Sequence, residues 1–264
     1  MSEMNERPVN QSVAKLLQLV SVLAASRTPM RLQDVAREAN MPQATCLRYL
    51  NALIQEGFAG QDRDRTRYFL TWGICSLGDR VRARQSLRVI SGDILNELAA
   101  ELGLGICLVV EHGMECMYLD CLYEPETMGY TLMRIGTRTP LHAVSSGKIL
   151  LTEYSETALD RVIAEKGLPA LTEKTITTKA ALLEELQRVR QQGYALDNEE
   201  CELGLRCVAV PLRDYSGKAV AAISAFGSVE RVTDGLLREK LLPALRTAAA
   251  ELSFRMGSGF ASRE

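Results

Sequence analysis

Apolar side chains at Val13, Leu16, Leu17, Val20, Leu23 and Ala24 recur at helical spacing, which predicts an amphipathic helix over 12–25. Ser26–Arg27–Thr28–Pro29 breaks it. Leu32, Val35 and Ala36 mark a short helix ending at Asn40, a residue that tolerates left-handed backbone. Met41–Pro42 forms a turn, because proline disfavours helical geometry in the residue before it. Ala44, Leu47, Leu50, Leu53 and Ile54 predict a third helix from Gln43, stopped by Gly57. Two short strands follow, near Phe58–Gly60 and Tyr68–Leu70, around a charged tip.

Three helices and a small hairpin make a winged helix-turn-helix, whose second motif helix enters the major groove of DNA. On that helix Gln43, Thr45, Arg48 and Tyr49 are expected opposite Leu47, Leu50 and Leu53. They supply donors, acceptors and an aromatic ring. The wing tip carries Arg63, Arg65 and Arg67 for phosphate, alternating with Asp62 and Asp64.

From Gly73 to Gly103 a stripe including Leu77, Val81, Leu87 and Ile90 predicts a linker helix running into a second domain. The expected division is 1–72 for the winged head, 73–90 for the linker and 91–264 for the second domain. That domain shows strand-like runs at Ile106–Val110, Glu115–Leu122, Tyr130–Ile135, Val208–Leu212 and Ala219–Ala225. Helices are expected within Pro140–Tyr154, at Ser155–Lys166, Lys179–Gln192 and Leu236–Met256, with Pro243 breaking or kinking the last. Helices around a mainly antiparallel sheet make a sensor-like domain, and the whole chain reads as α+β.

Charge sharpens this division. Residues 1–90 hold 13 Lys and Arg against 8 Asp and Glu, a net of +5, while the remainder holds 18 against 25, a net of −7. A basic head on an acidic body fits one domain working near phosphate. No apolar run is long enough to span a bilayer, so no membrane partner is expected. The seven cysteines lack a CxxC pair, which points to a reducing, cytoplasmic setting.

Over nearly its whole length the chain resembles the IclR family of bacterial transcription regulators. The head carries Leu32–Ala36, Met41–Pro42, Thr45, Arg48–Leu50, Leu53 and Gly57–Phe58. More distinctive is an ordered series: Thr139–Ala143, Ser146–Lys148, Val189–Arg190, Gly193–Ala195, Asp197, Glu199–Glu200, Gly204–Pro211, Ala221–Ser224 and Arg231–Thr233. The resemblance implies a homodimer or homotetramer that binds operator DNA, most simply as a repressor. Its C-terminal domain would be GAF-like and bind a small effector, often a carboxylic or aromatic metabolite. Matched block by block, the effector contacts would be Ser145, Ser146, Asp197, Cys207 and Ser224. Backbone N–H groups near Ser145–Ser146 would seat an anionic end, and Asp197 would accept from a hydroxyl. Phe226 stands where serine is frequent, and Ser145–Ser146 where Gly–Ala is frequent.

Two other chemistries are open. A cysteine with His142 and Asp197 could be imagined as a nucleophilic set, although no local signature accompanies them. Cys107, Cys116, Cys121, Cys207 and His142 could serve a metal-responsive regulator, without the short paired spacing of a dedicated site. No cofactor is expected: Gly147–Lys148 lacks the GxxxxGK spacing of a phosphate loop.

Overall fold

The computed structural model describes residues 10–77, 86–122 and 135–259. Contacts divide the chain into two compact units, Met1–Ser86 and Leu87–Glu264.

In the first unit, α1 (Gln11–Ala25) begins at Asn10, whose side chain accepts from the Ser12 and Val13 N–H groups. A two-residue strand, β1 (Met30–Arg31), follows, which periodicity could not reveal. α2 (Leu32–Glu38) and α3 (Gln43–Gln55) are joined through Asn40, with a left-handed φ of 46°. β2 (Ala59–Gln61) and β3 (Arg67–Leu70) form the wing hairpin, and β1 pairs with β3 along its other edge. Leu19, Val35, Cys46 and Leu50 lie at the centre of this small core. On α3 the buried stripe is Cys46, Leu50 and Leu53. Leu47 was expected in that stripe but is exposed, because it sits one residue beyond the turn that Cys46 fills.

Residues 72–77 are helical, whereas 78–85, the middle of the expected linker, lie outside the described residues. The expected strand at Tyr130–Ile135 falls there too, except for Ile135, which opens a turn.

The second unit opens with α4 (Leu87–Leu102) and contains β4 (Gly105–Glu111), β5 (Glu115–Leu122) and β6 (Arg138–Pro140). A single tight turn, Leu141–Ala143, leads into α5 (Ser145–Leu151). Then come α6 (Glu156–Lys166), α7 (Lys179–Gln192), β7 (Ala195–Asn198), β8 (Leu205–Arg213) and β9 (Ala219–Ser228). A widened five-residue helical segment, Leu237–Leu241, feeds α8 (Leu242–Arg255). Pro243 therefore occupies the first turn of α8, where its missing N–H costs little, and the irregularity falls in the turn before it.

The six strands form one antiparallel sheet in the order β6-β5-β4-β9-β8-β7. Its pleat separates two cores. Ile106, Leu108, Val208, Val210, Ile223 and Ala225 pack against α4 and α8. Cys107, Val109, Leu205, Cys207 and Phe226 face the opposite layer, with Leu150, Leu182 and Leu186.

That layer depends on Gly147. A Cβ there would lie 2.1 Å from the Leu141 carbonyl oxygen, so α5 can seat on the preceding turn only without a side chain. Gly147→Ala is expected to destabilise the protein by roughly 1–3 kcal/mol through overpacking against backbone. A lowered chemical-denaturation midpoint with unchanged slope is the check.

Candidate functional site

The head presents α3 and the wing. Gln43 and Arg48 are exposed, Thr45 is half-buried, and Tyr49 is half-buried against the head core. The Arg48 guanidinium lies 5.4 Å from the centre of the Tyr49 ring, so the tyrosine supports the arginine from below. Gln43 also lines an open hollow with Gln33, Arg37 and Asn40, two turns of polar surface that α3 periodicity alone does not indicate.

Arg63, Arg65 and Arg67 are all exposed. Asp62 Oδ1 accepts from the Thr66 and Arg67 N–H groups at 2.8 and 3.1 Å, closing the tip. Among the described residues none of the three arginines is in an ion pair.

In the second unit, register explains how distant residues meet. Gly105 pairs with Phe226, Phe226 with Cys207, and Cys207 with Asp197, one row crossing four strands. Two residues along, Cys107 pairs with Ser224 and Ser224 with Ala209. Directly opposed residues share a face, so Asp197 and Cys207 are neighbours, and Ser224, two residues along β9 from Phe226, lies on the same face. Asp197 and Cys207 lie inside β7 and β8, not beside them as the apolar runs suggest. α5 packs on β7, β8 and β9, bringing in Ser145 and Ser146, both buried. The seven-residue α5 is too short to count as an anion seat through its dipole, and the polarity lies elsewhere.

That polarity centres on two groups. Lys148 is 1% exposed, a rare environment for lysine. Its Nζ donates to Glu200 Oε1 at 2.6 Å, the Leu196 carbonyl at 2.8 Å and Glu185 Oε1 at 3.4 Å. Asp197 is fully buried. Its Oδ1 accepts from the Glu200 and Cys201 N–H groups at 2.8 and 3.2 Å, while Oδ2 has no partner. Burial, reinforced by the Glu200 charge, pushes the Asp197 carboxyl up to about 7 despite those two N–H bonds.

Sequence reasoning passes over Lys148, Glu185 and Glu200, because spacing there only excludes a phosphate loop. A single lysine within the small and apolar run Ser145–Leu151 was the available signal.

Phe226 is fully buried, and its ring occupies the space of the missing Gly105 side chain: a Cβ there would lie 2.2 Å from the ring. A separate cavity of about 10 Å³, room for no more than a water, is lined by His142, Leu151, Leu159 and Leu182 among others. It touches none of the five expected effector residues.

The alternative chemistries fare differently from the pocket. His142 Nε2 lies 3.1 Å from the Pro169 carbonyl. Burial, then Asp197, holds the Cys207 thiol well above its ordinary range, the opposite of an activated nucleophile. Cys107 and Cys121 approach to 3.1 Å between sulfurs, but among the described residues no three His, Cys, Asp or Glu side chains converge as metal ligands. Cys107, Cys116, Cys121 and Cys207 share one core, but nothing in that core gathers them with His142 into a ligand set.

Comparison with known proteins agrees with this architecture. The IclR helix-turn-helix domain matches residues 12–63, and the domain described as bacterial transcriptional regulator IclR C-terminal matches 80–254. The Transcriptional repressor IclR of Escherichia coli is 30% identical over 231 residues, covering 87% of this chain and 84% of that protein. The p-hydroxybenzoate hydroxylase transcriptional activator of Acinetobacter baylyi is 31% identical over 244 residues, covering 91% and 89%. Among solved structures, a double mutant of the Acinetobacter PobR inducer-binding domain, in complex with 3-hydroxybenzoic acid, superposes with a TM-score of 0.58. It is 34% identical and covers 64% of this chain and 98% of its own.

A carboxyl group raised on folding binds more protons in the native than in the unfolded state, so stability falls as pH rises through that window. Asp197→Asn removes the effect. The variant should gain stability relative to wild type as pH rises from near 3.8 to about 7, then level off. The slope should not exceed about 1.4 kcal/mol per pH unit. Thermal melts across that range supply the test, and a flat difference would contradict it.

Proposed function

The chain belongs to the IclR family of bacterial transcriptional regulators, and from that premise we propose a repressor released or tightened by a small organic acid. α3 enters the major groove, with Gln43, Thr45 and Arg48 toward the bases and Tyr49 backing Arg48. Arg63, Arg65 and Arg67 on the wing engage phosphate. The effector lies between α5 and the sheet face carrying Asp197, Cys207 and Ser224, beside Ser145 and Ser146. The observation that carries this is Asp197 Oδ2, a buried polar oxygen without a partner, since such atoms are costly unless a ligand or water completes them. Relatives named as a repressor and as a hydroxybenzoate-related activator support the reading and leave the sign to experiment.

The protein acts as a homodimer, through which two heads read two half-sites, or as a tetramer of such dimers. Large apolar side chains on the head support this: Trp72 is 87% exposed, with Val13 and Leu17 also open to solvent. Regulation requires the effector to prefer one arrangement of the oligomer, because equal affinity for both shifts nothing.

Three measurements follow. On a DNA fragment selected from a random pool by the wild type, Arg48→Ala should lose about 1–3 kcal/mol of affinity. Wing Arg→Ala changes should flatten the salt dependence by nearly one phosphate each. Unchanged binding by Arg48→Ala would remove α3 from the interface. Light scattering should give a mass of at least twice 29.1 kDa, and a monomer at micromolar concentration overturns the dimer. Asp197→Ala should abolish the response to effector while sparing DNA binding without it.

A further inference from the structure

Between α5, α7 and the end of β7 the fold encloses more acid than base. Asp197 on β7 and Glu200 in the turn after it face Lys148 from α5 and Glu185 from α7. Arg188 on α7 reaches Glu185 Oε2 at 2.8 Å from the solvent side. With every group ionised, three carboxylates would meet one buried ammonium and one exposed guanidinium, leaving a negative charge inside. Nothing else nearby cancels it: the Cys201 and Cys207 thiols on either side are buried and held neutral, and Glu202 adds a further partly buried carboxyl. Glu199 is taken by Lys174. Lys148 spends its donors on Glu200, Leu196 and Glu185, so none is left for Asp197. Three buried carboxyl oxygens here have no hydrogen-bond partner among the described residues: Asp197 Oδ2, Glu200 Oε2 and Glu202 Oε2.

Buried net charge is expensive, and a proton is the smallest group that removes it. Its place follows from the geometry. Burial raises both acids, but Glu200 accepts the shortest bond from Lys148, which favours its ionised form, whereas Asp197 is the fully buried acid and has no cation in contact. We propose that Asp197 carries a proton at and somewhat below neutrality, so that it meets the effector as a hydrogen-bond donor rather than as an acceptor. The raised titration of Asp197 agrees with this. The expectation from sequence, an Asp197 accepting from a hydroxyl, is thus reversed. A carboxylate and a neutral carboxyl share a short, charge-assisted hydrogen bond, whereas an ionised aspartate repels the same ligand. An amine would be drawn to an ionised aspartate and gains nothing comparable from a neutral one. The ligand half of the inference rests on this pocket being the effector site; the proton does not.

The full-length protein tests both halves. Infrared difference spectra of wild type against Asp197→Asn, with aspartate labelled by carbon-13 at the carboxyl, should show a protonated carboxyl stretch that the variant lacks. Titration from about pH 5 to about pH 9 should remove it near neutrality, well above the ordinary aspartate value of about 3.9. Glu200→Gln takes away a competing charge and should lower the midpoint. A midpoint in the ordinary aspartate range, or one unmoved by Glu200→Gln, overturns the proton. Benzoate and acetate are then compared with benzylamine and ethylamine by calorimetry. Carboxylates should bind, shift the Asp197 stretch, and lose about tenfold in affinity per pH unit above the midpoint. A response to amines alone overturns the donor role of Asp197. Silence from every carboxylate with the proton in place overturns the effector-site reading and leaves the proton standing.

Discussion

One buried ammonium group organises the second unit. Lys148 extends from α5 into an interior where lysine is almost never found, and its bonds to Leu196, Glu200 and Glu185 join a helix, a strand and a second helix. Such a network adds little net stability over an apolar replacement, because desolvation offsets most of the attraction. What it supplies is position. Lys148 fixes Glu200, Thr175 donates to the Glu200 carbonyl at 2.6 Å, and Asp197 accepts from the Glu200 and Cys201 N–H groups. The turn after β7 is thereby pinned from three sides, and the carboxyl of Asp197 is held on the face where Ser224 and Cys207 also lie. Removing a partner would leave charge stranded rather than a gap.

Much of the fold was legible because the head and the helices obey simple periodicity. α1, α2 and α3, the wing, α6 and α7 all appear where apolar spacing and turn residues place them. Failures came where local pattern and tertiary demand diverge. Leu47 reads as part of an apolar stripe, yet Cys46 fills the inward position and Leu47 faces out. β1 and β6 span two and three residues, too short for any alternation to register. Pro243 signals a break, but the chain absorbs it in the widened segment before α8.

The candidate site was legible only as a set of names. Asp197, Cys207 and Ser224 are far apart in sequence, and only the register of β7, β8 and β9 lays them on one face. Sequence offers no register, because each pairing is set by packing across the whole sheet. The charges that decide the site's chemistry were less visible still. A lysine and two glutamates on separate elements have no shared spacing, and ordinary odds assign each of them to the surface. Their burial is a tertiary fact.

Gly105 and Phe226 form a lock whose two parts cannot be changed independently. The aromatic ring stands where a side chain at position 105 would have to be, within 2.2 Å of its first carbon. Any residue but glycine at 105 must displace the ring, whereas shrinking position 226 first leaves a void that a new side chain at 105 could fill. The order of substitution therefore matters: one path between the two arrangements passes through a cavity and the other through a collision, and the two carry different costs.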